Sequence, residues 1–150
     1  MELKIPPALV FVCFGIFMYL LAQFLPIGHF DFFGRAYLMK ALLGIATVIG
    51  LFALIQFLRA KTTLDPARPF KASTLVTSGI YRFSRNPMYL ALLMVLLAWG
   101  LHLGNAFNTL VAAGFVTYMN RFQIGAEEKV LAQLFGKTYQ QYCVNVRRWF

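Results

Sequence analysis

Four apolar runs dominate the chain, at about residues 6–25, 36–58, 87–103 and 106–124. Each is close to the ~20 residues with which a helix crosses a bilayer core about 30 Å thick. The pattern predicts an all-α integral membrane protein, a bundle of about four transmembrane helices with a cytosolic amphipathic helical tail, in one domain over 1–150. The first run holds no ionisable residue, and it is long for a cleaved signal peptide, with no small-residue cleavage site after it. Lys40 in the second run lies within snorkelling reach of the surface. Ala46 and Gly50 have the four-residue spacing that lets a neighbouring helix come close. The third run opens on Pro87, which suits a first helical position because its missing N–H costs nothing there. It is short, and a tilt or break is expected near Gly100 and Gly104.

Between the second and third runs, Pro66 and Pro69 predict an extended or turned link. Beyond the fourth run the pattern changes. Glu127 and Glu128 precede Val130, Leu131, Leu134 and Phe135, a helical spacing with one apolar face and an acidic first turn. Gly136 is expected to end that helix, with Tyr139, Tyr142, Cys143 and Val146 marking a second short one. Arg147, Arg148 and Trp149 suit the headgroup layer. A surface-lying amphipathic tail would account for all of this without any function.

Composition supports the membrane reading: 60% of residues are hydrophobic and 17% aromatic, against roughly half apolar in soluble domains. The net charge of +9 is uneven. Arg59, Lys61, Arg68, Lys71, Arg82 and Arg85 lie between the second and third runs, and Arg121, Lys129, Lys137, Arg147 and Arg148 follow the fourth. The first connection carries only His29, Asp31 and Arg35, and the third none. The positive-inside rule therefore puts both termini and the long middle loop in the cytoplasm. Topology and anionic lipid explain the basic charge, so a nucleic-acid partner is not expected. Cys13 and Cys143 belong to different regions and should not form a disulfide. No metal site is expected. The compact chain, with no endoplasmic-reticulum retention signal, points to a bacterial inner membrane. The oligomeric state is not legible.

The richest chemistry lies in residues 75–89, where polar, basic and aromatic side chains run into the third apolar stretch. A helix start at Pro87 offers unpaired N–H groups and the positive end of the dipole, and Arg82 and Arg85 stand within a turn of it. Together with Glu127, Glu128 and the aromatic tail, this segment offers cations for a carboxylate, a carboxylate for an ammonium or ribose hydroxyls, and aromatic faces for a base.

The order of these pieces carries a resemblance. Leu75-Val76-Thr77-Ser78-Gly79-Ile80-Tyr81, Arg85-Asn86-Pro87-Met88-Tyr89, Glu127-Glu128, Phe135-Gly136, Tyr139 and Tyr142 resemble the integral-membrane methyltransferases related to isoprenylcysteine carboxyl methyltransferase and the phospholipid methyltransferases. The resemblance runs from about residue 63 to 149. It implies a bundle of membrane helices with a site for S-adenosylmethionine at the cytosolic interface, open sideways to lipid. Ser73, Thr74, Leu75 and Val76 would hold that cofactor mostly through backbone groups, in the segments 73–89 and 121–149 that form the site. Tyr81 would line the adenosine side, and Asn86, Pro87, Met88 and Tyr89 the floor. Glu127 would bind the polar end, and Arg85 either the ligand or one of the two glutamates. Gly79 is expected to be a turn residue with positive φ.

Two positions depart from the eukaryotic prenylcysteine enzymes. Those have His in place of Asn86, and an Arg assigned to the substrate carboxylate in place of Gln123. Arg121 lies two residues earlier, on another helical face. Arg121 and Gln123 are the candidate substrate-side residues. The acceptor is expected to be a hydrophobic small molecule, a lipid or a lipidated group entering from the bilayer, with carboxyl O-methylation the favoured reaction. An amine or phenol acceptor must lose a proton, for which Glu128 and Tyr89 are the candidate catalytic groups. The alternatives are phospholipid N-methylation and a non-catalytic adaptor on the same fold. A small four-span exporter is disfavoured because no acidic residue falls within an apolar run.

Overall fold

The computed structural model describes residues 5–25, 27–60 and 74–150. Ser73, Lys61, Arg68, Lys71 and the two prolines of the middle link lie outside the described residues. Five α-helices occupy the described chain: α1 (Pro7–Phe24), α2 (Arg35–Arg59), α3 (Pro87–Leu103), α4 (Asn108–Tyr118) and α5 (Gly125–Asn145). A 3-10 turn over Gly79–Arg82 precedes α3, and a π-helical turn over Met119–Ile124 joins α4 to α5.

Of the helices, α1 and α2 are long and apolar enough to cross a membrane, while α3 is apolar but shorter. Most of their surface is open. Only 17% of the apolar stretch of α1 and 11% of that of α2 is buried. Leu9, Ile16 and Phe17 on α1 and Val48, Leu51, Phe52 and Leu58 on α2 are all exposed. A water-facing protein rarely shows continuous apolar surface of this extent.

Helix α3 is central, packing against α1, α2 and α4. It begins at Pro87 as its sequence predicts. The α2–α3 contact is close because Ala46, Gly50 and Ala53 face it: a Cβ placed on Gly50 would lie 3.6 Å from that of Ala91. Two apolar cores result. One, around Met18, Leu96, Phe115, Met119 and Ile124, joins α1, α3 and α4. The other gathers Ala53, Tyr81, Tyr139, Tyr142 and Val146 below the candidate site.

The fourth apolar run is not one regular helix. The chain turns at 105–107, where Asn105 Oδ1 accepts the Phe107 N–H at 3.0 Å, and α4 starts only at Asn108. The helical path then continues into α5, since Gly125 N–H bonds back to Asn120 O across the wide turn. Glu127 and Glu128 therefore do not stand at a free helix start. The break comes at Gly136, with φ 49° and ψ −124°, where the residue pattern places it.

Gly79 has φ 58°, and a Cβ there would collide with the Gln56 amide. That amide accepts the Ile80 N–H at 3.1 Å and so ties the turn to α2. Gly79→Ala imposes left-handed strain of about 1–2 kcal/mol and displaces an interaction of about 1 kcal/mol. Thermal or denaturant unfolding of the variant is expected to show a loss of about 2–3 kcal/mol, whereas a change under about 0.5 kcal/mol, ordinary for a surface site, would contradict this contact.

Candidate functional site

A cleft opens where the segment leading into α3, both halves of α5 and the end of α2 meet. Counting the open space at its mouth, it spans about 500 Å³. One wall is Thr74, Leu75, Val76, Arg85 and Asn86. The other is Glu127, Glu128, Leu131, Tyr139 and Tyr142, with Phe57 of α2 between them.

Glu127 sits on the inner wall. The Tyr89 hydroxyl donates to its Oε1 at 2.5 Å and Gln123 Nε2 donates to the same oxygen at 2.6 Å. Gln123 also reaches Tyr89 Oη at 3.4 Å. Burial disfavours the charged carboxylate and pushes its pKa up to about 7, against the opposing pull of these two donors. The residue thus changes charge near neutral pH. It is poised to bind a cation or to take a proton.

Glu128 is a separate unit. Arg148 grips it with two hydrogen bonds, Nε to Oε1 at 3.0 Å and Nη2 to Oε2 at 2.6 Å, the forked geometry in which guanidinium–carboxylate pairs are strongest. Arg85 Nη2 lies 3.3 Å from Glu128 Oε1, and Arg85 Nη1 meets the Cys143 sulfur. The hydrogen bond from Arg148 to Glu128 holds the guanidinium pKa above its ordinary value. Arg85 therefore serves Glu128, yet its Nε is buried with no partner among the described residues. That leaves one charged donor at the cleft for a ligand oxygen.

The end of the chain straps these parts together. Arg148 O accepts Asn86 Nδ2 at 2.9 Å and Ser84 Oγ at 3.4 Å. Arg147 O accepts Arg85 N–H at 3.0 Å, and Trp149 Nε1 donates to Asn120 Oδ1 at 3.0 Å. Three consecutive residues thus hold the approach to α3, the π turn and, through Glu128, α5. Sequence reasoning assigned Arg147, Arg148 and Trp149 to the headgroup layer and missed this strap. Nothing local signals it, because each partner lies 20 or more positions away.

The other candidates fall in several places. Tyr81 is buried beneath the cleft, with its ring 5.5 Å from that of Phe57 and its carbonyl accepting the Tyr142 hydroxyl at 2.6 Å. Burial raises the pKa of Tyr81, Tyr139 and Tyr142, so all three are neutral hydroxyls at physiological pH. Pro87 is buried in the first turn of α3, and Met88 packs into the lower core. Both support the cleft without lining it. Gln123 is buried and holds Glu127, and Arg121 is exposed with its guanidinium 5.5 Å over the Phe122 ring, outside the lining. Arg82 is exposed, so of the two arginines near α3 only Arg85 reaches the cleft.

The donor set suits an amino-acid-bearing nucleoside. The half-buried Glu127 carboxylate can meet an ammonium, the Arg85 guanidinium with its unpartnered Nε a carboxylate, and Phe57, Tyr139 and Tyr142 the flat face of a base.

Comparison with known proteins brings a family and two relatives. The profile of the phospholipid methyltransferase family matches residues 36–138. An uncharacterized protein of Haemophilus influenzae is 48% identical over 62 residues, which are 41% of this chain and 98% of that one. The protein-S-isoprenylcysteine O-methyltransferase of Schizosaccharomyces pombe is 30% identical over 105 residues, 64% of this chain. That match spans only 44% of the yeast enzyme. No solved structure gives a significant match.

Proposed function

The chain belongs to the phospholipid methyltransferase family, and on that premise we propose that it is a membrane enzyme transferring a methyl group from S-adenosylmethionine to a hydrophobic or lipid-anchored acceptor. The observation that carries this reading is the cleft that half-buried Glu127 and Arg85, whose Nε has no partner among the described residues, line beside three aromatic rings. In the full reading α1 to α4 cross the bilayer, both termini are cytoplasmic, the cleft lies at the cytosolic interface, and the membrane is a bacterial inner membrane. The weakly buried outer faces of α1 and α2 support lipid contact.

When bound, S-adenosylmethionine supplies an electrophilic methyl group on a sulfonium, which an acceptor atom attacks in line as the carbon–sulfur bond breaks. The protein's task is then alignment, which can lower a barrier by several kcal/mol, up to about 7–11 in favourable cases. Glu127 would hold the ammonium, Arg85 the carboxylate, and the backbone of 73–76 the rest of the nucleoside. Tyr89 and Gln123 keep the Glu127 carboxyl in one orientation.

Carboxyl O-methylation is the favoured reaction. A carboxylate nucleophile needs no base, and the identity to the yeast O-methyltransferase supports an oxygen acceptor. Phospholipid N-methylation is the second reading, favoured by one observation: a carboxyl with pKa near 7 can take the proton an amine must lose. In that case Glu127, with Tyr89 beside it, is better placed as base than Glu128, which two guanidinium groups occupy. Membranes incubated with methyl-labelled cofactor test the function. Label in a small-molecule or protein carboxyl fraction, released by mild base, is expected. Label in phospholipid would favour the second reading, and none anywhere would leave a non-catalytic adaptor.

Ligand binding should depend on pH through Glu127. Below about 7 the carboxyl carries a proton and cannot pair with an ammonium, so affinity for S-adenosylhomocysteine is expected to fall as pH drops from 8 to 6. The contribution of Glu127 to stability runs the other way. Folding raises its pKa, so that contribution is complete below the unfolded value of 4.5 and is lost as pH rises through about 7. Titrations at several pH values, in buffers of different ionisation enthalpy, check both affinity and proton release. An affinity flat across this range would place the ammonium elsewhere.

A further inference from the structure

We propose that a second cleft, at the opposite end of α3 from Glu127, binds a single-chain lipid or amphiphile headed by a hydroxyl group. This cleft encloses about 490 Å³, counting its open side, and is walled mostly by Met18, Phe30, Leu42, Leu97 and Leu101. Asn105, Asn108 and Thr109 are the polar residues of its lining. Both asparagines are only 1% exposed, but they differ in one respect. Asn105 is satisfied, donating to Leu25 O at 2.9 Å and accepting from Phe107 N–H at 3.0 Å. Asn108 has neither its Nδ2 nor its Oδ1 hydrogen-bonded to any described residue.

A buried amide with both functions free is costly, more so where the surroundings are apolar. What satisfies it must offer one donor and one acceptor on a small head and present an apolar body to leucine, methionine and phenylalanine. A hydroxyl does so, donating to Oδ1 and accepting from Nδ2. A bare carboxylate cannot donate and would bring an unpaired charge. Arg35, the nearest cation of the first connection, donates to Phe30 O at 3.1 Å and pairs with Asp31 at 3.3 Å. The site is built into the fold: the connections before α2 and before α4 pair at this end, with Phe30 N–H bonded to Gly104 O and Ala106 N–H to Gly28 O, both at 3.0 Å. Gly100 leaves room beside it, since a Cβ there would press on Met18 and Asn108. Asn86 of the first cleft and Leu97 of the second stand 11 positions apart (97 − 86), about 16 Å along the α3 axis. A ligand here therefore acts apart from the methyl-transfer site.

The test is thermal unfolding of the full chain in amphipol, with 1-dodecanol, dodecane or dodecanoate added, a readout that does not pass through methyl transfer. Dodecanol is expected to raise the Tm of wild type in a saturable way, and dodecane and dodecanoate to do so at least tenfold more weakly in concentration. Asn108→Leu removes the unsatisfied amide, so it should raise the Tm without ligand while abolishing the response to dodecanol. Leu101→Trp fills the cleft, leaves the amide in place and should abolish the response too, which keeps the test decisive if Asn108→Leu fails to fold. No shift with dodecanol on wild type, an equal shift with dodecane, or an undiminished shift in a folded variant would each overturn the proposal.

Discussion

Glu127→Gln is expected to leave a folded protein that has lost both S-adenosylhomocysteine binding and methyl transfer. The glutamine is nearly isosteric, and its carbonyl can still accept from Tyr89 and Gln123, whose donors now meet at Oε1. What disappears is the negative charge. A hydrogen bond to a charged group contributes about 1.5–3 kcal/mol, so affinity should fall roughly tenfold to more than a hundredfold at pH 8, where the wild-type carboxyl is ionised. Stability should hold or rise slightly at that pH, because a carboxylate whose pKa is raised by burial is a cost to the fold. Calorimetric titration beside a melting curve reads both effects. A folded variant that binds as well as wild type would remove Glu127 from the ligand site.

Glu128→Ala should behave in the opposite way, although it changes the adjacent residue. Glu128 is 19% exposed and joins Arg85, 14% exposed, to Arg148. Its loss leaves Arg85 with no carboxylate partner and frees the strap that holds Asn86, Ser84 and, through Trp149, Asn120. Removing one partner of a buried pair costs about 3–5 kcal/mol, but Arg148 is 37% exposed and solvent compensates part of it. A loss of about 2–3 kcal/mol is expected, with faster proteolysis near residues 146–150. Cofactor affinity should drop as a consequence, and an Arg148→Ala variant should share both defects. If both variants melted like wild type, the strap would be held by its backbone bonds alone.

The contrast between these glutamates shows where sequence stopped informing. The helix start at Pro87, the approach of α2 at Ala46 and Gly50, the turn at Gly79 and the break at Gly136 are local matters of propensity, spacing and positive φ. All four were legible. The resemblance brought Thr74, Leu75, Val76, Arg85, Asn86 and Glu127 together, and the cleft contains them. Long-range pairing was not legible. Arg148 reaches Glu128 across 20 residues and Asn86 across 62, and an arginine at a membrane surface reads as an anchor whatever it touches. Gln123 marked a missing cation in the family pattern, but only its distance to Glu127 shows that it holds the carboxyl. The π turn was invisible as well, since an apolar run looks the same whether its hydrogen bonds span four residues or five.

The central claim is that this cleft holds S-adenosylmethionine, and direct titration of S-adenosylhomocysteine into the purified, folded wild-type chain tests it most simply. One site with micromolar affinity, weakening as pH falls through about 7, is the predicted result. No binding by a protein that melts cooperatively would contradict the claim and leave the cleft an architectural inheritance of its family.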